Sequence, residues 1–289
     1  MSQPERAWPI VELIRWTTEY LTGKGFHNAR LNAELLLAGV LGVKRLDLYL
    51  QFDRVLQPAE LAEFKQRLLR RAKREPLQYI EGRAAFRGLS LHVDGRVLIP
   101  RPETEVLVGE VLKWAAGRSG LRALDVGTGS GAIALSLASE GPFAQVVATD
   151  LSAEALAVAR ANHAALVPEA AVEFREGAGY APVAGERFDV IVSNPPYVAE
   201  PERAALDAEV RDWEPPLALF AGASGLEVIE PLVREAPRHL HPGGLLALEI
   251  GAAQASAVLE LIRSVERLRA PQLRPDLAGR ERIVLAHAL

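Results

Sequence analysis

Cysteine is absent from the 289 residues. That excludes disulfides, thiolate metal sites and cysteine nucleophiles. Long apolar runs are missing as well: no uncharged stretch reaches the roughly 18 residues a membrane-spanning helix needs. The opening MSQPERAWPIVELIRW has no apolar h-region, so no signal peptide is expected and the cytoplasm is the expected compartment. A basic excess is also lacking. The net charge of −4 divides into +4 over residues 1–75 and −8 over the rest. The electrostatic footprint of a nucleic-acid binder is therefore missing, although the small basic region suits an acidic partner. No repeat of solenoid period is present. His239 and His241 lie beside Pro242 with no acid at zinc-like spacing, so no metal is expected.

What is present is an ordinary globular balance, 49% hydrophobic and 24% charged, which excludes wholesale disorder. At roughly 100–200 residues per domain the length suggests two domains. Residues 1–75 read as helices. VELIRWTTEYL has a helical period and stops at Gly23 and Gly25. Asn28 is the expected N-cap of ARLNAELLLAGVLG, which Gly42 ends. Pro58 opens a third helix that Pro76 terminates. Short connections imply a small bundle. Residues 76–100 are short, alternating and broken by Gly82, Gly88 and Gly95, which predicts a β-hairpin linker. From 101 to 289 strand-like and helix-like segments alternate, the rhythm of an α/β sheet with helices on both faces. The strands expected there are RALDVG, QVVATD, AVEFREG, FDVIVS, GLLALEIG and RIVLAHA.

Three stretches carry chemistry. The first is Asp125-Val126-Gly127-Thr128-Gly129-Ser130-Gly131, between a strand and a helix. Glycines let the backbone turn sharply and approach a ligand, and the helix start offers N–H groups. The spacing G-x-G-x-G is not the dinucleotide G-x-G-x-x-G, so a nucleotide-like ligand without a pyrophosphate fits better. The second is Asp150, which ends the next strand 19 residues after Gly131. It can accept from both hydroxyls of a ribose, or cap a helix, although Ser152 can do the capping itself. The third is Asn194-Pro195-Pro196-Tyr197, after FDVIVS. Two prolines remove two donors and stiffen the backbone. The Asn194 side-chain oxygen and the Pro195 carbonyl can then face one planar NH2 group, with Tyr197 as a flat wall.

Taken in this order, the three stretches resemble class I S-adenosylmethionine-dependent methyltransferases acting on amino or amide nitrogen. Ile99-Pro100-Arg101-Pro102-Glu103-Thr104-Glu105, Glu214-Pro215-Pro216-Leu217-Ala218-Leu219, Leu248-Glu249-Ile250-Gly251 and Asp276-Leu277-Ala278-Gly279-Arg280 narrow the likeness. With the helical N-terminal region, they look like the bacterial release-factor glutamine methyltransferases, the PrmC (HemK) family. The resemblance spans nearly the whole chain. It implies a Rossmann-like, mostly parallel seven-stranded sheet, with a helical substrate-recognition domain over 1–75, a β-hairpin linker over 76–100 and a catalytic domain over 101–289. It also implies methyl transfer to the glutamine of the Gly-Gly-Gln motif in class I peptide chain release factors, and a monomer.

On that resemblance, Asn194, Pro195, Pro196 and Tyr197 are the catalytic residues. Asp125, Gly127, Thr128, Gly129, Ser130, Gly131, Asp150, Gly179 and Asn194 hold S-adenosyl-L-methionine, with S-adenosyl-L-homocysteine as product. One departure stands out. The family carries an acidic-aromatic pair after the third strand, where this chain has Ala178 and Gly179. Tyr180 or Glu176 is left to replace the acid. Arg101 and Glu103 either organise the entrance or form structural ion pairs, and Glu249 is expected to be structural. Alternatives are a glutamine methyltransferase of a ribosomal protein, a nucleic-acid adenine or guanine methyltransferase, which shares Asn-Pro-Pro-Tyr, and a non-catalytic docking protein.

Overall fold

The computed structural model describes residues 7–289. The chain divides into two compact units, Met1–Gly82 and Arg83–Leu289.

The first unit contains helices α1 (Ile10–Gly23), α2 (Ala29–Leu41), α3 (Asp47–Leu50), α4 (Pro58–Ala72) and α5 (Leu77–Glu81). Ile10, Leu13, Thr17 and Leu21 put the buried face of α1 at helical spacing. Pro58 opens α4, and the Glu60 carboxylate accepts from the Gln57 N–H at 2.8 Å. Phe64 and Leu68 of α4 pack with Leu36, Leu37 and Leu21 into one core. Arg71, buried beside them, donates to the Asn32 Oδ1 (2.6 Å) and the Glu75 carbonyl (2.8 Å), so its charge is not left bare. Asn28 stands at the N-cap of α2 but makes no side-chain cap bond; its carbonyl accepts from the Asn32 backbone and side chain instead.

Residues 76–100 differ from the expected hairpin linker. Leu77–Glu81 is a helical turn. The hairpin is shorter, β1 (Arg83–Phe86) against β2 (Leu89–His92), and belongs to the second unit. Phe86 and Leu91 enter that unit's core. The Asn162 side chain clamps β2, accepting from the His92 N–H at 2.7 Å and donating to its carbonyl at 3.0 Å. Residues 93–101 run on as a strap without strand pairing.

Beyond the strap come α6 (Pro102–Ala115), β3 (Leu121–Val126), α7 (Ala132–Glu140), β4 (Phe143–Asp150), α8 (Ala153–Leu166), β5 (Val172–Glu176) and β6 (Phe188–Ser193). The short α9 (Ala208–Arg211) and α10 (Pro216–Leu219) follow, then α11 (Ile229–His239), β7 (Leu240–Glu249), α12 (Ala255–Arg263), β8 (Leu268–Pro275) and β9 (Glu281–Ala288). Seven strands form one sheet in the order β5-β4-β3-β6-β7-β9-β8. β3 to β7 pair in parallel, and β9 runs antiparallel to both neighbours. Successive residues face opposite cores: Leu124, Ile191 and Leu246 join one, Ala123, Val190 and Leu245 the other. Burial on both faces explains why the centres of β3, β6 and β7 are mostly apolar.

The strand order reverses between β3 and β6. At such a reversal two loops leave in opposite directions and open a crevice at the carboxyl ends of the strands. Each stretch singled out for chemistry leaves one of those ends.

Candidate functional site

A cavity of about 850 Å³ occupies the crevice. Gly127 to Ser130 after β3, Asp150 to Ser152 after β4, Gly177 to Ala181 after β5 and Asn194 to Pro196 after β6 line it. The turn after β3 has positive φ at Gly127 (76°), Gly129 (55°) and Gly131 (85°), a conformation that side chains resist. A Cβ at Gly131 would also press on Leu135 at 3.3 Å and Ala159 at 3.4 Å, so Gly131 lets α7 start tight against α8.

Asp150 faces the cavity with one oxygen accepting from the Gly129 N–H (2.9 Å) and the other from the Ser152 N–H (2.9 Å). Burial raises its pKa, and those backbone donors oppose the rise. Ser152 caps α8 itself, its Oγ accepting from the Ala155 N–H at 3.1 Å. A carboxylate has about four acceptor sites, so the carboxylate at the cavity wall retains capacity for further donors.

Asp125 and Gly131 do not line the cavity. Asp125 is fully buried beneath the turn, where its Oδ2 accepts from the Thr128 hydroxyl (2.7 Å) and the Ala134 N–H (3.1 Å). Its Oδ1 has no partner, and burial pushes its pKa up to about 7. Asp125 therefore supports the turn from behind.

A second cavity of about 180 Å³ lies on the other side of Asn194 and Pro195. Leu98, Asn194, Pro195 and Ala218 are shared by the two walls. Tyr197 lines only the smaller cavity, with Arg101 and Arg282. The Asn194 Nδ2 donates to the Thr104 hydroxyl at 3.0 Å, and Thr104 donates to the Glu249 Oε2 at 2.6 Å. The Tyr197 hydroxyl donates to the Glu249 Oε1 at 3.3 Å. Burial raises the Glu249 pKa and pushes that of Tyr197 up to about 12. Among the described residues no backbone donor reaches the Pro195 carbonyl.

Two straps close the walls. The Glu214 carboxylate is buried, accepts from the Ile99 N–H at 3.2 Å and pairs with Arg101. Glu103 pairs with Arg280 at 2.9 Å. Both residues are thus in ion pairs. The Gln254 Nε2 donates to the Tyr197 carbonyl (3.0 Å) and the Gly225 carbonyl (3.1 Å), which ties the Asn-Pro-Pro-Tyr segment to the start of α12.

At the turn after β5, Ala178 and Gly179 line the large cavity, as does Tyr180. The Tyr180 hydroxyl already donates to the Leu232 carbonyl at 2.8 Å, and its ring stacks on His239 at 4.5 Å. Glu176 is exposed and outside the wall. Neither replaces an acidic contact there; of the acids that line the cavity, Glu235 of α11 is the one whose charge acts on Tyr180. Thr104, Glu214, Glu235 and Gln254 were not assigned to the site from sequence. The partners of Thr104, Glu214 and Gln254 lie 145, 113 and 57 residues away, a distance no local pattern bridges. Among the described residues no group of His, Asp or Glu is placed to hold a metal.

Comparison with known proteins bears on both units. The PrmC N-terminal domain family matches residues 12–82, and the methyltransferase small domain family matches residues 103–210. The release factor glutamine methyltransferase of Geobacter sulfurreducens is 46% identical over 259 residues, covering 90% of each chain. That of Cereibacter sphaeroides is 43% identical over 95% of this chain and 97% of its own. The chain belongs to the release factor glutamine methyltransferase family. Among solved structures, a methyltransferase from Pyrococcus furiosus superimposes with a TM-score of 0.51 at 23% identity, over 70% of this chain and 89% of that one. The hMettl16 catalytic domain gives 0.56 at 16% identity, over 82% and 84%. At those identities they show the class I methyltransferase fold and no more. The family assignment sets aside the non-catalytic reading and places the two cavities in a methyltransferase.

Proposed function

We propose that the chain transfers a methyl group from S-adenosyl-L-methionine to the side-chain amide nitrogen of the glutamine in the Gly-Gly-Gln motif of class I peptide chain release factors, in the cytoplasm. One observation carries the reading. Asn194 and Pro195 line both a large cavity and a small one, and each carries an acceptor, the Oδ1 of Asn194 and the carbonyl of Pro195. The relatives' names supply the substrate class.

The large cavity suits the cofactor. Its Asp150 oxygens keep acceptor capacity for ribose hydroxyls, and the turn at Gly127 to Ser130 brings backbone against it. Ala178 and Gly179 stand where the family's acidic-aromatic pair contacts the adenine, and Glu235 supplies an acid to the same cavity. When bound, S-adenosyl-L-methionine supplies an electrophilic methyl on its sulfonium sulfur and departs as S-adenosyl-L-homocysteine.

The small cavity takes the glutamine side chain. An amide nitrogen is a poor nucleophile because its lone pair is delocalised. Asn194 Oδ1 and the Pro195 carbonyl accept its two N–H groups and hold the nitrogen in the wall between the cavities. Orientation of this kind contributes on the order of 7–11 kcal/mol in favourable cases. The same acceptors stabilise positive charge as it builds on nitrogen. No general base is required before transfer, since one N–H proton can leave to water afterwards.

The test is incubation with methyl-labelled S-adenosyl-L-methionine and purified release factors, followed by peptide mass mapping. Label on the Gly-Gly-Gln glutamine is the expected result. Label on a ribosomal protein or on RNA instead would reject the substrate and keep the chemistry.

A further inference from the structure

The chain of hydrogen bonds behind Asn194 has a direction. Glu249 is 1% exposed, and as a carboxylate it can only accept. Two hydroxyls, on Thr104 of α6 and on Tyr197, end on its two oxygens at 2.6 and 3.3 Å. The Thr104 hydroxyl has one proton, and that proton is spent on Glu249. Towards Asn194, 3.0 Å away, the Thr104 oxygen can therefore only accept. Asn194 must present its NH2 to Thr104, which leaves its carbonyl oxygen for the cavity wall. An asparagine amide in isolation has no such preference, because its two ends are nearly the same shape. Arg282 of β9 lies over the Tyr197 ring at 5.3 Å and attracts the Glu249 charge, as the two hydroxyls do.

We propose that Thr104 and Glu249 are positioning residues that fix the polarity of the Asn194 amide, so that an acceptor and not a donor meets the substrate NH2. This rests on the reading that the substrate group is a glutamine amide. A flipped Asn194 would set NH2 against NH2 and remove one of the two acceptors that orient the nitrogen. Neither Thr104 nor Glu249 needs to touch the reacting atoms.

Four variants and two readouts test this. Thr104→Val keeps the shape and removes the hydroxyl; Thr104→Ser restores it. Glu249→Gln replaces an obligate acceptor by a group that can face Thr104 with either end. Thr104→Val is expected to lower kcat on release factor by about 10- to 100-fold, with KM for the release factor and cofactor affinity nearly unchanged. Thr104→Ser should stay within about 3-fold of wild type. The double variant should lose no more than the worse single one, because both act through one amide. The second readout needs no substrate: exchange of the Asn194 Nδ2 protons, followed by NMR in the cofactor-free protein. One of them should be protected in wild type and Thr104→Ser, and unprotected in Thr104→Val.

Equal exchange in wild type and Thr104→Val would overturn the proposal. So would a serine variant that falls as far as the valine one, or losses that follow cofactor affinity. Protection that depends on Thr104, in a protein that transfers no methyl to release factors, would uphold the polarity and reject the substrate.

Discussion

Asn194 and Asp125 stand at the ends of neighbouring strands and illustrate opposite uses of a polar side chain. Asn194 spends its donor inside the protein and keeps its acceptor for the cavity. Asn194→Ala should therefore cut turnover by at least about 100-fold, since it removes an acceptor that strengthens as charge develops. Cofactor affinity should change by less than about 3-fold. Single-turnover rates and calorimetry would check both, and loss of the two together would mean a structural role. Asp125 is turned inward, fully buried, with one oxygen bare. Burial pushes its pKa up to about 7 from an ordinary 3.8, so the folded chain holds a proton that the unfolded chain has released. Folding then takes up a proton between those values, and stability falls as pH rises through the window. Relative to Asp125→Asn, the wild type should lose up to about 1.4 kcal/mol per pH unit from about pH 5 to about pH 7. Urea unfolding of the cofactor-free protein at several pH values measures this. Parallel profiles for the two proteins would show that Asp125 is not the group responsible.

At the scale of elements, the segment from Asn194 to Tyr197 is held in place by residues farther along the chain, at Gly225 before α11 and Gln254 at the start of α12. Gly225 is one such support. Its φ is +79°, and a Cβ there would lie 2.5 Å from the Tyr197 carbonyl and 2.7 Å from the Gln254 Nε2. Gly225→Ala should cost about 1–3 kcal/mol and reduce turnover more than cofactor affinity, because the displaced strap belongs to the small cavity. Thermal unfolding and methyl-transfer kinetics on one sample would show it; a variant with wild-type turnover would mean the strap is set elsewhere. What was legible in the sequence follows the same division. The inner parallel strands β3, β4, β6 and β7 declared themselves because their central residues are mostly apolar and buried. β8 did not: it is an edge strand carrying Pro271 and Pro275, residues an edge tolerates and a pattern search rejects. Leu77–Glu81 resembled a strand because it is a single helical turn, too short to display a period. Glycine-rich turn, Asp150 and Asn-Pro-Pro-Tyr were readable as cavity-lining stretches since each is local. Asp125 belonged to the same readable motif, yet its inward orientation is set by Thr128 and Ala134. The Thr104–Glu249 connection needs the folded sheet to exist.

At the scale of the whole chain, each unit has a core of its own. The buried cluster around Leu21, Leu36 and Phe64 lies wholly within the first unit, and the two clusters on the sheet lie wholly within the second. Separate cores mean that either part can in principle fold alone. The first unit also exposes apolar side chains that its own core does not need: Val11, Leu50 and Phe52, with Leu50 at 76%. A Gly-Gly-Gln segment offers little surface, whereas stable recognition buries about 800 Å² per partner. We expect recognition of the substrate's body to fall to the first unit, and chemistry to the second. Residues 83–289 alone should then methylate a short Gly-Gly-Gln peptide as well as the full chain does. On whole release factor they should lose at least about 10-fold in kcat/KM. The comparison has to be made on both substrates, because a drop on peptide and protein alike would signal a damaged catalytic unit. Equal activity of the shortened and full chains on whole release factor would place all the recognition in the sheet unit and leave the helical one without that role.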